Sequence, residues 1–256
     1  MVLTRENDKM MDNQKIANFQ PEEEPDYTPY LEQFNLIGDR EDAIVLIHDA
    51  LPQDQLDLIY NYLQEYKDDE GFRGGNDKRY EHVLKENPEV AALLKSYNDI
   101  VYSKIKEHYI DRFGVKVAYV PVNDCHFVKW TEGMSTGLHA DCERPDGSPA
   151  FHANFYRLNI SALFYVNDNY EGGEIVFPRF NKVVKPKAGD LILFPSNGPY
   201  RHQVNEVIGK QNRYTIPSWH TFDLPEIFHS QGNHDAGDSV ILWYDEGEDF
   251  SNAQLF

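Results

Sequence analysis

The sequence predicts an α+β fold, mainly β, in which a sandwich or barrel of short strands is backed by helices. Three observations carry that expectation. After Gly114 the chain breaks into seven or eight β-rich runs punctuated by Gly, Pro and Asn, the pattern of an antiparallel sandwich or barrel. Before Gly114 it shows two stripes of apolar residues at helical period. At 256 residues, 41% hydrophobic and 13% aromatic, it is long and apolar enough for one well-buried domain with appendages.

Residues 1–40 carry Pro21-Glu22-Glu23-Glu24-Pro25 and little periodicity, and read as an extended or partly disordered arm. Ala43 to His48 is an apolar run that fits a buried strand. Leu51-Pro52 then opens a helix with Leu56, Ile59, Tyr60, Leu63 and Tyr66 on one face. A longer helix is expected from Pro88 to Phe113, with Val90, Leu93, Leu94, Tyr97, Ile100, Val101, Ile105 and Tyr109 in its stripe and Pro88 suited to a first turn. Between them, loop 70–80 holds Gly74-Gly75 without a strand-to-helix switch, so it is no phosphate-binding loop. Strands are expected over Val115–Pro121, His126–Trp130, Leu158–Asn167, Glu174–Phe177, Val183–Pro186, Leu191–Pro195, His202–Val207 and Tyr214–Trp219. Beyond Phe222 the chain turns polar, then apolar at Val240 to Tyr244, a segment suited to docking. The expected division is an arm (1–40), a helical support (41–113), a β domain (114–225) and an extension (226–256).

A net charge of −19 with a pI near 4.8, and no local Lys/Arg cluster, argues against nucleic acid or an anionic membrane surface as partner. The first twenty residues lack the apolar core of a signal peptide and no apolar run reaches membrane-spanning length, so a cytoplasmic protein is expected. Cys125 and Cys142 are too few for a disulfide framework and lack the spacing of a zinc site, which makes them reduced structural thiols.

The chemistry concentrates in Leu138-His139-Ala140-Asp141, Tyr200-Arg201-His202 and Asn212-Arg213-Tyr214-Thr215. Two imidazoles and a carboxylate can occupy one face of an iron and leave the other open for oxygen chemistry. With ten His and many Asp, one His-x-Asp is expected roughly once by chance, so context must support it. Lys187 to Ser196 reads as a tight turn into a buried strand that delivers His202 back to the first pair. Arg213 enters the next β-run, where its fork can grip a carboxylate through two hydrogen bonds. Tyr165 is placed to add a hydroxyl to the same carboxylate, or to serve as a core tyrosine. His126, His152 and His220 have no partner at His-x-Asp spacing and are not expected ligands. The insert from Glu143 to Tyr156 would overhang the pocket or serve as a structural loop, and Glu171-Gly172-Gly173-Glu174 reads as a turn with backbone demands rather than a carboxylate pair.

Four motifs stand in order: Trp130-x-x-Gly133-x5-His139-x-Asp141, Phe164 to Glu174, Ala188-Gly189-Asp190-Leu191-Ile192-Leu193-Phe194-Pro195-Ser196, and His202 followed by Arg213-Tyr-Thr-Ile-x-x-Trp219. Together they resemble an iron(II)- and 2-oxoglutarate-dependent dioxygenase of the prolyl 4-hydroxylase type, over about Val115 to Phe222. The resemblance implies a double-stranded β-helix, or jelly roll. It implies His139, Asp141 and His202 as iron ligands, Arg213 on the distal carboxylate of 2-oxoglutarate with Tyr165 as hydroxyl partner, and Trp219 packed beside the metal pocket. Fe(II), 2-oxoglutarate and O2 are the implied cofactor and cosubstrates, and such enzymes admit ascorbate as a further cofactor. Two features depart from the pattern. Trp130 stands where many relatives have a tyrosine, and the His202 to Arg213 interval is slightly longer than usual, which a bulge or turn around Gly209 would absorb.

In such enzymes a carboxylate at Asp141 accompanies hydroxylation, whereas halide-transferring relatives carry a small residue there. The expected activity is hydroxylation of a C–H bond, most simply a prolyl residue of a peptide or protein, with release of succinate and CO2. The alternatives are the same chemistry on a free amino acid or other small molecule, and a non-catalytic jelly-roll module that binds metal. A nucleic-acid demethylase fits the acidic charge poorly.

Overall fold

A computed structural model describes residues 28–66, 77–122, 125–143 and 158–223. The expected insert (apart from Glu143 itself), most of loop 70–80, His152 and the extension from 226 lie outside them. Among the described residues the sheets are supported by the helices α1 (Thr28–Ile37), α2 (Gln53–Glu65), α3 (Tyr80–Glu86) and α4 (Pro88–Ile105). The strands are β1 (Val45–Ile47), β2 (Asp77–Lys78), β3 (Val117–Pro121), β4 (Phe127–Trp130), β5 (Thr136–His139), β6 (Ile160–Tyr165), β7 (Glu171–Gly172), β8 (Ile175–Phe177), β9 (Lys182–Val184), β10 (Leu191–Pro195), β11 (His202–Val204), β12 (Val207–Ile208) and β13 (Arg213–Phe222).

The helices follow their local chemistry. At the start of α4 the Asn87 side chain accepts from the Val90 amide at 3.1 Å, and Pro88 occupies the first turn, where no amide is missed. The helix continues through a π-helical turn (Lys106–Ile110) to Phe113 and stops at Gly114, whose φ of 75° is left-handed. Helix α1 corrects the expectation of an extended arm for ten of its residues. Tyr30, Phe34 and Ile37, spaced as one helical face, are buried, and the rings of Tyr30 and Phe34 meet Phe222 edge-on at 6.2 and 4.8 Å. Tertiary burial, not local propensity, fixes this helix.

Two antiparallel sheets make the β core. The larger has the order β1-β10-β6-β13-β4-β2, with β3 also on β13, and the smaller has β5-β11-β8-β9; a β7–β12 ribbon stands beside them. Strand β13 is ten residues long, and because side chains alternate across a strand it presents two different faces. Its even-numbered residues look to the helices: Tyr214 meets Tyr60 and Phe222 meets Phe34, while His220 lies beside Tyr102. On the neighbouring β6, Phe164 packs on Tyr97 of α4 on the same side. The odd-numbered residues, Arg213, Thr215 and Trp219, are left facing the smaller sheet, together with Ser161 and Tyr165 of β6. The registers Trp219↔Ser161, Thr215↔Tyr165 and Arg213↔Trp130 align these groups in rows. A one-residue slip would send every one of them to the helix side. This two-sheet, mainly antiparallel arrangement with helices on one face is the expected α+β jelly roll.

On the helix face, His220 is fully buried; its Nδ1 donates to the Ala118 carbonyl at 3.2 Å and its Nε2 meets no partner. Burial pushes its pKa down from 6.5 to about 4, against a smaller opposing effect of that carbonyl. The folded state therefore binds its proton less readily than the unfolded chain. The associated stability is complete above pH 6.5 and is lost as pH falls from there towards 4, by about 3 kcal/mol at most. Denaturant unfolding of wild type and His220→Asn at several pH values between 7 and 4 should show a smaller loss of stability in the variant; parallel curves would exclude His220 as the source.

Candidate active site

Strand β5 ends in His139, and its cross-strand partner on β11 is His202, so the two imidazoles are brought side by side by the register of the smaller sheet, with ring centroids 4.5 Å apart. Asp141 follows two residues after His139. Its Oδ1 lies 3.2 Å from His139 Nε2 and 3.8 Å from His202 Nε2. One ligand atom from each of the three residues lies within 4.8 Å of the others, a spacing that can hold a metal ion. The histidine tautomers are set by the backbone. Nδ1 of His139 donates to the Gly137 carbonyl at 2.8 Å and Nδ1 of His202 to the Tyr200 carbonyl at 3.3 Å, leaving each Nε2 lone pair towards the centre. Phe177 and Phe194 wall His202 at 5.7 and 4.6 Å between ring centroids.

Asp141 is held by the opposite sheet. Its Oδ2 accepts from Trp219 Nε1 at 3.0 Å and from the Ser161 hydroxyl, two groups that sit in register on β13 and β6. Ser161 spends its single proton on Asp141, so Ser196, 2.6 Å away, donates to Ser161. With Oδ2 engaged twice, Oδ1 is the oxygen turned to the histidines. Burial alone would raise the Asp141 carboxyl, but His202, His139 and Ser161 hold it well below the usual range. Burial pushes His202 down to about 4; His139 is also opposed by burial, yet Asp141 leaves it raised. The site thus keeps a carboxylate ionised beside the neutral imidazole of His202, and that carboxylate favours the protonated form of His139.

Along the larger sheet from Trp219 stands Arg213, with no exposed surface. Its Nη2 donates to the Tyr165 hydroxyl at 3.4 Å, its guanidinium lies 4.8 Å from the Trp130 ring centroid and 5.1 Å from that of Tyr165, and its Nε and Nη1 meet no acceptor. A buried cation with two idle donors is costly unless an anion completes it. Trp130 is the residue directly opposite Arg213 on β4, and its indole nitrogen donates to Thr215 Oγ1 at 3.2 Å. The tryptophan therefore covers the guanidinium face instead of offering a phenol. Gly172 and Gly173 sit at φ of 67° and 66°. A Cβ on Gly173 would come within 2.9 Å of Arg213 Cδ and 3.2 Å of Tyr170 Cε2, and one on Gly172 would collide with the Glu206 carbonyl. The Gly-Gly pair thus has the backbone demands expected of it and lets the chain lie against the arginine stem.

All six expected site residues, His139, Asp141, His202, Arg213, Tyr165 and Trp219, line the space between the sheets. Three further residues that the sequence reading did not select belong there: Ser161, Ser196 and Tyr170. Ser161 had one sign, a small hydroxyl inside an apolar run, but its partner lies twenty residues away and only the fold joins them. His126 is buried with its ring 6.5 Å from Trp219 and 4.0 Å from Asp77, apart from the ligand cluster. Cys125 and Cys142 are both buried thiols. Glu143 is raised by burial. No helix among the described residues is long and apolar enough to cross a membrane.

Residues 125–221 match the family model of the 2OG-Fe(II) oxygenase superfamily. Over 169 residues the chain is 25% identical to a PKHD-type hydroxylase of Prochlorococcus marinus, covering 63% of this chain and 71% of that one. A stretch of 70 residues is 40% identical to prolyl 3-hydroxylase 2 of Homo sapiens, 25% of this chain and 10% of that protein, so the chain spans only a small part of the first curated relatives it matches. Among solved structures, a prolyl hydroxylase from Trichoplax adhaerens in complex with a hypoxia inducible factor peptide shares the fold at a TM-score of 0.53 and 19% identity, covering 84% of this chain and 94% of that one. A prolyl 4-hydroxylase from Phytophthora capsici does so at 0.53 and 16%, covering 81% and 69%. Over residues 125–221 the chain is thus similar to the 2OG-Fe(II) oxygenase superfamily, and the relatives it matches in sequence are prolyl 3-hydroxylases and PKHD-type hydroxylases.

Gly173→Ala and Gly209→Ala separate backbone strain from damage to the arginine. Gly209, at φ 84°, has open space around its Cβ position, so alanine there should cost roughly 1–2 kcal/mol of left-handed strain and nothing more. Gly173→Ala should be more destabilising than that and should also weaken binding of a dicarboxylate ligand, because Arg213 must move. Equal melting-temperature losses and equal ligand affinities in the two variants would contradict this reading.

Proposed function

We propose that this chain is an Fe(II)- and 2-oxoglutarate-dependent dioxygenase that hydroxylates a prolyl residue of a peptide or protein. The observation that carries the reading is the fully buried Arg213 with two unpartnered donors, in the same inter-sheet space as a two-nitrogen, one-oxygen ligand set. A metal-binding module would need the ligand set alone; the waiting cation adds an anchor for a carboxylate. His139, Asp141 and His202 would hold the iron, and Arg213 with Tyr165 would hold the distal carboxylate. Fe(II) with 2-oxoglutarate and O2 supplies the oxidising power for a C–H bond, with succinate and CO2 released.

The remaining work belongs to the chain. Trp219 and Ser161 fix the Asp141 carboxylate, and the two backbone carbonyls fix the imidazole tautomers. Phe177, Phe194 and Trp130 surround the polar groups with apolar surface, which excludes water and strengthens each charge interaction. Residues 114–225 would form the catalytic unit, 41–113 its support and 226–256 an extension. The prolyl assignment is supported by the relatives, which include prolyl 3-hydroxylase 2 and a prolyl 4-hydroxylase.

His139→Ala and Asp141→Ala should each lower iron-dependent succinate formation by roughly a hundredfold or more while the protein remains folded. Unchanged turnover would remove the ligand assignment. Under anaerobic conditions Fe(II) with 2-oxoglutarate should give a visible charge-transfer band that His139→Ala and Arg213→Ala lose. No band from folded, iron-loaded wild type would favour the metal-binding module. Proline-rich peptides should stimulate succinate release more than free proline; the reverse order would point to a small-molecule substrate.

A further inference from the structure

Tyr170 lies in the Asp168-Asn169-Tyr170-Glu171-Gly172-Gly173 segment, three residues upstream of Gly173, which presses against Arg213. It is 4% exposed and its hydroxyl is buried without a hydrogen-bond partner. Its ring edge and the Arg213 stem meet at one point: the Cβ position of Gly173 is 3.2 Å from Tyr170 Cε2 and 2.9 Å from Arg213 Cδ. Burial lifts the phenol pKa to about 12, and the adjacent Arg213 charge partly offsets the rise, so the hydroxyl stays protonated and remains a donor. Lys185 stands over the outer part of the ring, 5.8 Å from its centroid.

Four donor groups therefore gather beside this arginine. Nε and Nη1 of Arg213 and the Tyr170 hydroxyl have no acceptor, and the Tyr165 hydroxyl accepts from Nη2 at 3.4 Å, which leaves its own proton to give. The helix-side core tyrosine Tyr97 also has a buried hydroxyl without a partner, so what sets Tyr170 apart is that its hydroxyl lies beside the idle donors of Arg213. An idle buried phenol next to an idle buried guanidinium is explained if one acceptor serves both. A carboxylate offers about four lone-pair directions, enough to take a guanidinium and two phenols. Trp130, which covers the guanidinium face and gives its N–H to Thr215, donates nothing to such a ligand.

We propose that Tyr170 is a cosubstrate-binding residue, donating its phenolic hydrogen bond to the carboxylate gripped by Arg213 and Tyr165 and supplying the phenol that Trp130 does not. This rests on the function proposed above and adds to it a specificity element: the pocket recognises a carboxylate end through three side chains rather than two. Tyr170→Phe removes only the hydroxyl. Because that hydroxyl has no acceptor for its proton in the ligand-free protein, its loss should leave the ligand-free melting temperature nearly unchanged. A structural role would lower it.

The test is anaerobic titration of iron-loaded wild type and Tyr170→Phe with 2-oxoglutarate and with 2-oxopentanoate, which has the same keto-acid end and no distal carboxylate. Ligand-induced melting shifts are measured in parallel. The variant should bind 2-oxoglutarate about tenfold more weakly or worse, the loss of one hydrogen bond to a charged group, and bind 2-oxopentanoate as wild type does. Equal 2-oxoglutarate affinity in the two proteins, with Arg213→Ala still impaired, would overturn the role of Tyr170 alone. Equal weakening towards both ligands, or a lower ligand-free melting temperature, would identify a packing role. Failure of wild type to prefer 2-oxoglutarate over 2-oxopentanoate would overturn the dioxygenase reading itself.

Discussion

A permanently charged guanidinium in the middle of the protein sets the terms for everything around it. Arginine cannot shed its proton to escape burial, so the fold must shield Arg213 and leave room for a counter-charge. The shielding is visible in the Trp130 and Tyr165 rings, in the glycine that lets the chain pass the arginine stem, and in the helix layer that closes the far side of β13. What is not supplied is an acceptor. Stability forgone there is available as binding energy for whatever anion enters, the exchange by which active sites depart from the rules of an inert core.

The metal-ligating candidates obey a complementary logic. Their geometry depends on two registers in different sheets: His202 opposite His139 in the smaller one and Trp219 opposite Ser161 in the larger. Asp141 is the point where the two meet, since its one oxygen faces the histidines and its other is bound from across the space. Strand pairing is thus converted directly into the angular placement of donor atoms, which is more rigid than a loop alone could provide. Between His202 and Arg213 the chain passes through β12 and turns at Gly209, whose φ of 84° is left-handed, outside the ladder that positions the arginine.

Much of this could be read from the residues because the motifs combine chemistry with period. His-x-Asp on a strand end, a buried strand returning to His202, and Arg213 at the start of a β-run each follow from alternation and turn residues. The expected strands are found with ends shifted by up to three residues, whereas β5, which carries His139, is not among those expected. Pieces that were not legible are those defined by partners distant in sequence. β2 and β7 are two residues long and exist only through pairing with β4 and β12. Helix α1 offers just three buried side chains and follows a proline- and glutamate-rich stretch, so its face has meaning only once Phe222 is beside it. Helix α3 is seven residues long, and the stack of Trp130 on Arg213 depends on a register that no local pattern announces.

The placement of the two anchoring groups on opposite sheets has a mechanical consequence. The histidines belong to the smaller sheet and Arg213 to the larger, and among the described residues no disulfide ties the sheets together. A rigid molecule with a chelating end and a carboxylate end, held by both, would act as a tie-bar across the sandwich. Prying the sheets apart would then require breaking that bar. The small ligand would thus serve, between turnovers, as a removable rivet of the fold, guarding against the first crack between layers.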